Sequence, residues 1–338
     1  MAGTPTASTL TRNRSRNLIG QISPVSAWTQ QSSFAFFMGG NTGSTESVIA
    51  DKLTFSTSTV AAQTSSNLST AGSNSASFSD CTSTYAYMLG GQTSGGYVKR
   101  GLRFTFSTQT SAANTASDLS TNTTFITTQG LSDKTTYGYS CGGYTASAYV
   151  NTGYRLTFST SATAASTTSN LTEIGGFCMS LYGGATYGYY IGGYRNGAVS
   201  LKADRITFST STMAANTASN LPVAKYAGTS ISDNVTYGYV LGGLTNTTPG
   251  RVATADRLTF STGVTAANTV SNLSQARDSL ATGVSDGTTY GYANGGTTGS
   301  DVATGDRITF STGTTASNTT SNLSGIRRFS MGFADRSA

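Results

Sequence analysis

The sequence predicts an all-β fold made of six copies of one four-stranded antiparallel unit, and two periodic landmarks carry that prediction. Phe55, Phe106, Phe158, Phe208, Phe260 and Phe310 each sit in Thr-Phe-Ser-Thr, at steps of 51, 52, 50, 52 and 50 residues. Glycine doublets keep the same interval at Gly39/Gly40, Gly90/Gly91, Gly142/Gly143, Gly192/Gly193, Gly242/Gly243 and Gly295/Gly296. Self-similarity at a fixed interval marks a unit that cannot bury its apolar face alone and stacks on its neighbours.

Each element follows from the clearest copy, between Ala276 and Leu323. A first strand ends in Val284-Ser285-Asp286, Gly287-Thr288 makes a tight turn, and Thr289-Tyr290-Gly291-Tyr292 leads as a second strand to Gly295-Gly296. Asp306-Arg307-Ile308-Thr309-Phe310 alternates apolar and polar with period two, a third strand. The Thr- and Ala-rich segment that finishes at Ser321-Asn322-Leu323 is an outer, solvated fourth strand. Six such units of about fifty residues describe a six-bladed β-propeller. The 18 Tyr and 15 Phe fall on regular positions, which argues against disorder in a chain so rich in Ser, Thr and Gly.

The copies also predict how the array closes. Phe34-Ala35-Phe36 aligns with Tyr290-Gly291-Tyr292, but its first strand is missing in front of it. The segment Arg328 to Asp335 is a surplus first strand with nothing after it to pair with. Joining the two completes six blades, with residues 34–338 as the propeller and 1–33 as an extended arm, and removes free sheet edges.

The string Gly283-Val284-Ser285-Asp286-Gly287-Thr288-Thr289-Tyr290-Gly291-Tyr292-Ala293-Asn294-Gly295-Gly296 resembles the kelch repeat, whose second strand ends in a glycine doublet. The tryptophan usual after the third kelch strand is absent, and Trp28 lies outside the repeats. The Thr/Ser/Gly/Asn-rich style is similar to kelch-like proteins encoded by tailed bacteriophages of marine bacteria and cyanobacteria. That resemblance implies a virion protein of the tail or fibre apparatus, made in the host cytoplasm and present in multiple copies. The arm would dock it on other virion proteins, and one loop face would meet a host-surface glycan or protein. A capsid decoration protein, and a kelch-type adaptor or lectin-like module, are the alternatives.

Chemistry narrows the choice further. The chain has no histidine, which removes Ser-His-Asp and Cys-His catalysis and histidine-based metal sites. No Gly-Lys-Ser/Thr follows the glycine doublets, so they are strand ends and not phosphate loops. The expectation is a non-enzymatic protein without cofactor or metal. Cys81, Cys141 and Cys178 occupy non-equivalent positions and are expected to be unpaired. No apolar run is long enough to span a membrane, and no secretory leader is apparent.

Arg12, Arg14 and Arg16 supply half of the net charge of +6, leaving +3 on the remainder, too dilute for a nucleic-acid groove. The arm is either a docking element for an anionic partner or a solvated tail.

A basic residue stands three positions before each repeat phenylalanine: Lys52, Arg103, Arg155, Arg205, Arg257 and Arg307. An acidic residue ends the first strand at Asp80, Asp133, Asp233, Asp286 and Asp335, with Gly183 in the fourth copy. Structural Arg–Asp pairs between adjacent strands are predicted, with Arg205 turning to Asp204, a carbonyl or water; a ligand-binding ring of cations is the alternative. The connections from second to third strand vary most between copies, and variable loops on a rigid scaffold are where binding residues sit. Their candidates are Tyr97, Lys99, Arg100, Tyr144, Tyr149, Tyr154, Tyr194 and Arg195, although neutral drift would also vary them.

Overall fold

The computed structural model describes residues 31–124, 129–248 and 250–335 and is all-β. Among the described residues, six four-stranded antiparallel sheets recur with one internal order. In the sixth, Val284–Ser285 pairs with Tyr290–Asn294, that strand with Gly305–Thr309, and the last with Thr314–Ser317. The second to fifth sheets repeat this order from the inner strands Ala76–Ser79, Leu131–Ser132, Met179–Gly183 and Thr229–Ser232. In the first sheet the inner strand is Met331–Ala334, which pairs antiparallel with Phe34–Met38, Phe36 opposite Phe333. Each inner strand lies beside the next, and the sixth lies beside the first, a propeller-like arrangement.

Sequence explains the gradient of burial across a sheet. The second strand, such as Tyr237–Leu241, is buried through its length because both its faces meet neighbouring sheets. The third strand buries alternate residues, Leu258 among them, and the fourth exposes most of its Thr and Ala. The fourth strand is shorter than the sequence suggests. In every copy it gives way to a single 3₁₀ turn, Thr319–Ser321 in the sixth, whose last serine is fully buried. The asparagine that follows explains the recurring Ser-Asn-Leu: Asn322 Oδ1 accepts the Gly305 N–H at 2.8 Å, and Asn67, Asn170, Asn220 and Asn272 repeat the bond. Asp118 substitutes in the second sheet.

Neighbouring sheets are joined by hydroxyls. On the inner strands Ser77 Oγ donates to Gly332 O, Ser232 Oγ to Tyr182 O and Ser285 Oγ to Ser232 O, each at 2.9 Å. Farther out Tyr87, Tyr139 and Tyr292 share hydrogen bonds of 2.7–2.8 Å with Ser161, Ser211 and Ser58 of the adjacent sheet. Glycine in the second strand makes room for this packing. A Cβ on Gly138 would stand 2.0 Å from the Phe78 ring of the preceding sheet.

The predicted Arg–Asp pairing is overturned. Asp133 Oδ1 turns back into its own tight turn and accepts the N–H groups of Thr135, Thr136 and Tyr137 at 2.9, 2.7 and 2.8 Å. Asp233 and Asp286 do the same, and Asp80 caps Thr82 and Tyr85. Asp335 Oδ1 serves the other end of the chain, accepting the N–H groups of Ser33 at 3.0 Å and Phe34 at 3.3 Å. Arg103, Arg155, Arg257 and Arg307 instead lie over Tyr85, Tyr137, Tyr237 and Tyr290, 4.2–4.3 Å from the ring centroids. Arg205 does not use Asp204; it lies 4.1 Å over Tyr187. A carboxylate that accepts several backbone N–H groups at a strand end is already neutralised locally, and the half-exposed arginine gains more by stacking on the diagonal tyrosine. Both sets of residues are structural, by separate contacts. All three cysteines are free thiols, Cys141 and Cys178 buried. Among the described residues no helix is long and apolar enough to cross a membrane.

Candidate functional site

The turns at one end of the sheets bring together side chains that do not recur in all six sheets. Tyr97, Tyr144, Tyr149 and Tyr194, from the second-to-third strand connections of the second, third and fourth sheets, form a continuous chain of ring contacts. Centroids are 5.8, 5.0 and 5.4 Å apart in that order. The chain continues through Tyr226 at 6.0 Å and Phe177 at 5.4 Å, and Phe177 faces Phe329 at 6.5 Å. All seven rings are partly exposed. Tyr149 is seated over Gly176, where a Cβ would approach its ring to 3.3 Å.

Backbone geometry fixes the inner end of this arc. Asn74, Phe177, Ala227, Ser279 and Phe329 are repeat-equivalent and all adopt left-handed φ values of 54–57°. They are linked in series by backbone bonds: Ala227 N–H to Phe177 O, Ser279 N–H to Ala227 O, Phe329 N–H to Ser279 O and Asn74 N–H to Phe329 O. A non-glycine residue rarely holds this conformation, so the linkage has to hold it in place. Phe177 and Phe329 are thereby held facing each other at the inner end of the arc. Beside them Arg328 donates to Gly43 O at 2.9 Å and lies 3.5 Å from Asp301, while Arg251 pairs with Asp278 at 2.5 Å.

Burial holds the Tyr149 and Tyr226 hydroxyls above the usual phenol range, with neighbouring tyrosines and, for Tyr226, Asp278 adding to it. These phenols are neutral at physiological pH. The arc therefore offers ring faces, ring edges and neutral hydroxyls, a surface suited to the C–H faces of a sugar or to apolar side chains.

Other predicted binding residues are placed elsewhere. Tyr154 is 2% exposed, its hydroxyl bonded to Ser120 and Thr121 at 3.0 and 2.9 Å. Arg195 is also 2% exposed and forms a buried ion pair with Asp204 at 2.6 Å, so it is removed from the binding set. Its charge is needed inside because Asp204 is buried and would otherwise be unpaired. Arg100 is half-buried and donates to Thr70 O, and Lys99 remains exposed near the arc. Arg12, Arg14 and Arg16 lie outside the described residues.

Tyr226, Phe177 and Phe329 were missed because they belong to links between sheets, five or six residues after the repeat leucines Leu171, Leu221 and Leu323. Variation at those two positions, Gly176-Phe177 against Tyr226-Ala227 and Arg328-Phe329, was the available signal. Among the described residues no cluster of acids and cysteines is arranged to hold a metal ion. No protein-family model matches the chain, and no curated protein matches it.

Proposed function

We propose that this chain is a non-enzymatic structural and adhesion protein of a tailed-phage particle, docked through residues 1–33 and presenting the aromatic arc to a host-surface glycan. In this reading the six sheets are the blades of a closed, kelch-like six-bladed β-propeller. The serial contacts of the inner strands and the pairing of Met331–Ala334 with Phe34–Met38 support the fold. The virion assignment rests on the repeat style and on the absence of histidine.

The observation that carries the adhesive role is the contrast between residues that recur in all six sheets and those that do not. The former serve packing or capping, whereas Tyr144 and Tyr194 share one repeat position and Tyr97 and Tyr149 another, each in two neighbouring sheets only, and with Tyr226 they gather into one row. Half-exposed aromatics in line are costly to leave in water and are the residue type that dominates binding energy where a partner covers them.

The test is binding of the purified protein to a glycan array and to intact host cells. Tyr149→Ala and Tyr194→Ala should each weaken binding at least tenfold with an unchanged melting temperature. Equal binding by both variants would refute the adhesive face. A chain lacking residues 1–30 that still enters particles would refute the docking arm.

A further inference from the structure

We infer that the aromatic arc ends, beside Tyr97, in a subsite for the carboxylate of an acidic sugar, and that Arg100 is the residue that takes it. This deepens the adhesive reading proposed above and rests on it.

The charges around the links and loops single out Arg100. Arg195, Lys225, Arg251, Arg277, Arg327 and Arg328 each face an aspartate. Half-buried Arg100 faces none. Its Nη1 donates to Thr70 O over a long 3.4 Å, in a bond open to solvent, while Nε and Nη2 are buried with no acceptor. Burial alone pushes the guanidinium below its ordinary range, with no carboxylate to oppose it. Asp118 of the same sheet accepts the Gly101 N–H at 2.7 Å and forms no ion pair with Arg100. A cation held partly out of water without a counter-charge is costly, and a carboxylate brought to its open edge supplies that charge through charge-assisted hydrogen bonds.

The repeat does not call for an arginine here. Arg100 O accepts the N–H of Gly90, and the residues that make the same bond in the third-strand approach of the fifth and sixth sheets are Thr254 and Thr304. Both are small and uncharged.

The position joins Arg100 to the arc. Its guanidinium fills the space left by Gly72, where a Cβ would stand 2.0 Å from Arg100 Nη2 and 3.1 Å from Gln92 O. Gln92 is the strand partner of Tyr97 in the hairpin that carries the first ring. The guanidinium therefore lies beside the base of that hairpin, and exposed Lys99 adds a second positive charge between the two. A sugar laid on the Tyr97 ring with its acid group turned toward Gly72 meets Arg100 Nη1. The rings supply the stacking and the arginine supplies the preference for an acid.

The test is retention of the full chain on an array in which acidic glycans are printed beside their methyl esters, which keep the shape and remove the charge. The wild type should hold the acids at least tenfold more tightly than the esters. Arg100→Met, which keeps an unbranched stem packed against Gly72, should hold both as the wild type holds the esters. No preference in the wild type, or an undiminished one in Arg100→Met, overturns the subsite and leaves the arc standing so long as Tyr149→Ala and Tyr194→Ala still weaken retention. Retention of no glycan by the wild type refutes the arc and the subsite together. If Arg100→Met does not fold, Arg100→Lys takes its place: an ammonium cannot reproduce the guanidinium fork, so the preference should fall at least threefold, and an unchanged preference overturns the proposal.

Discussion

Arg327 Nη2 lies 2.6 Å from Asp51 Oδ2, and both side chains are fully buried. The two residues are 276 positions apart and fasten the last link of the chain to the third strand of the first sheet. The same contact recurs as Lys225–Asp256 and Arg277–Asp306, whose cations also stand four residues after a repeat leucine. In the fourth sheet that position is Gly175, and Arg195 enters from a loop to pair with Asp204. In the second and third sheets the acidic position holds Leu102 and Tyr154, with Gly72 and Thr123 at the position of the cation. Each buried aspartate at this position thus has a cation to match it, whereas in the second sheet, where the aspartate is replaced by Leu102, the Arg100 guanidinium lies against Gly72.

That rule gives a first prediction. Asp51→Leu and Arg327→Met should each destabilise the protein by about 3–5 kcal/mol, because each leaves one buried charge alone. The double variant should recover more than half of the summed loss, since no buried charge is then left alone and the second sheet already carries Leu102 at the position of the acid. Chemical denaturation of the two single variants and the double variant checks this. Additive losses would contradict it.

Removing residues 327–338 takes away the Arg327 pair, the strand Met331–Ala334 and the Asp335 cap on Ser33 and Phe34 together. Phe333 also leaves its contacts with Phe36, Phe104 and Phe106, 5.1–6.0 Å between centroids. The truncated chain should be insoluble or lose its cooperative thermal transition, because Phe34–Met38 and the apolar face behind it become an open edge. A cooperative transition at the wild-type temperature would show that the two chain ends do not depend on each other.

Asp286 and Arg307 should act independently. Asp286→Ala removes the cap on Thr288, Thr289 and Tyr290 and should cost about 2 kcal/mol. Arg307→Ala removes a stacked cation over Tyr290 and a 3.1 Å bond to Ser58, for about 1 kcal/mol. The double variant should show coupling below about 0.5 kcal/mol, because the two meet Tyr290 at separate groups, its backbone N–H and its ring. Strong coupling would restore the ion pair that the geometry replaces.

The periodic part of this architecture was legible in the sequence, because a phenylalanine or glycine doublet that recurs every fifty residues can only be serving a recurring contact. Strand order, the surplus strand at Arg328 to Asp335 and the gathering of Tyr97, Tyr144, Tyr149 and Tyr194 on one face follow from repetition and its breaks. Side-chain direction at strand ends does not follow. Spacing places Asp133 near Arg155, but whether the carboxylate faces its neighbour or its own turn depends on a few backbone torsions that composition does not encode. Arg195 shows the converse: its place in a variable loop predicts exposure, yet its charge answers a buried Asp204 nine residues further along the chain.

Lys134 makes stability depend on pH in a window set by one group. Its amine titrates near 7 in the folded chain and at 10.5 when exposed, so between these values the unfolded chain binds more protons and stability rises with pH. Integrated from pH 7 to 9 the gain is about 2 kcal/mol. Of the groups around it, Tyr182 is held above the usual phenol range by burial. The Cys81 thiol is raised from 9.0 by burial and acts in the opposite sense, but only as the unfolded thiol begins to ionise towards pH 9. Below 9 the lysine therefore dominates the difference between variants. Lys134→Met removes the group from both states, so its unfolding free energy, measured by urea denaturation at pH 7, 8 and 9, should be flatter than that of the wild type by about this amount. Parallel pH profiles for the two proteins would mean that the amine keeps its proton in the folded chain, and would rule out its depressed titration.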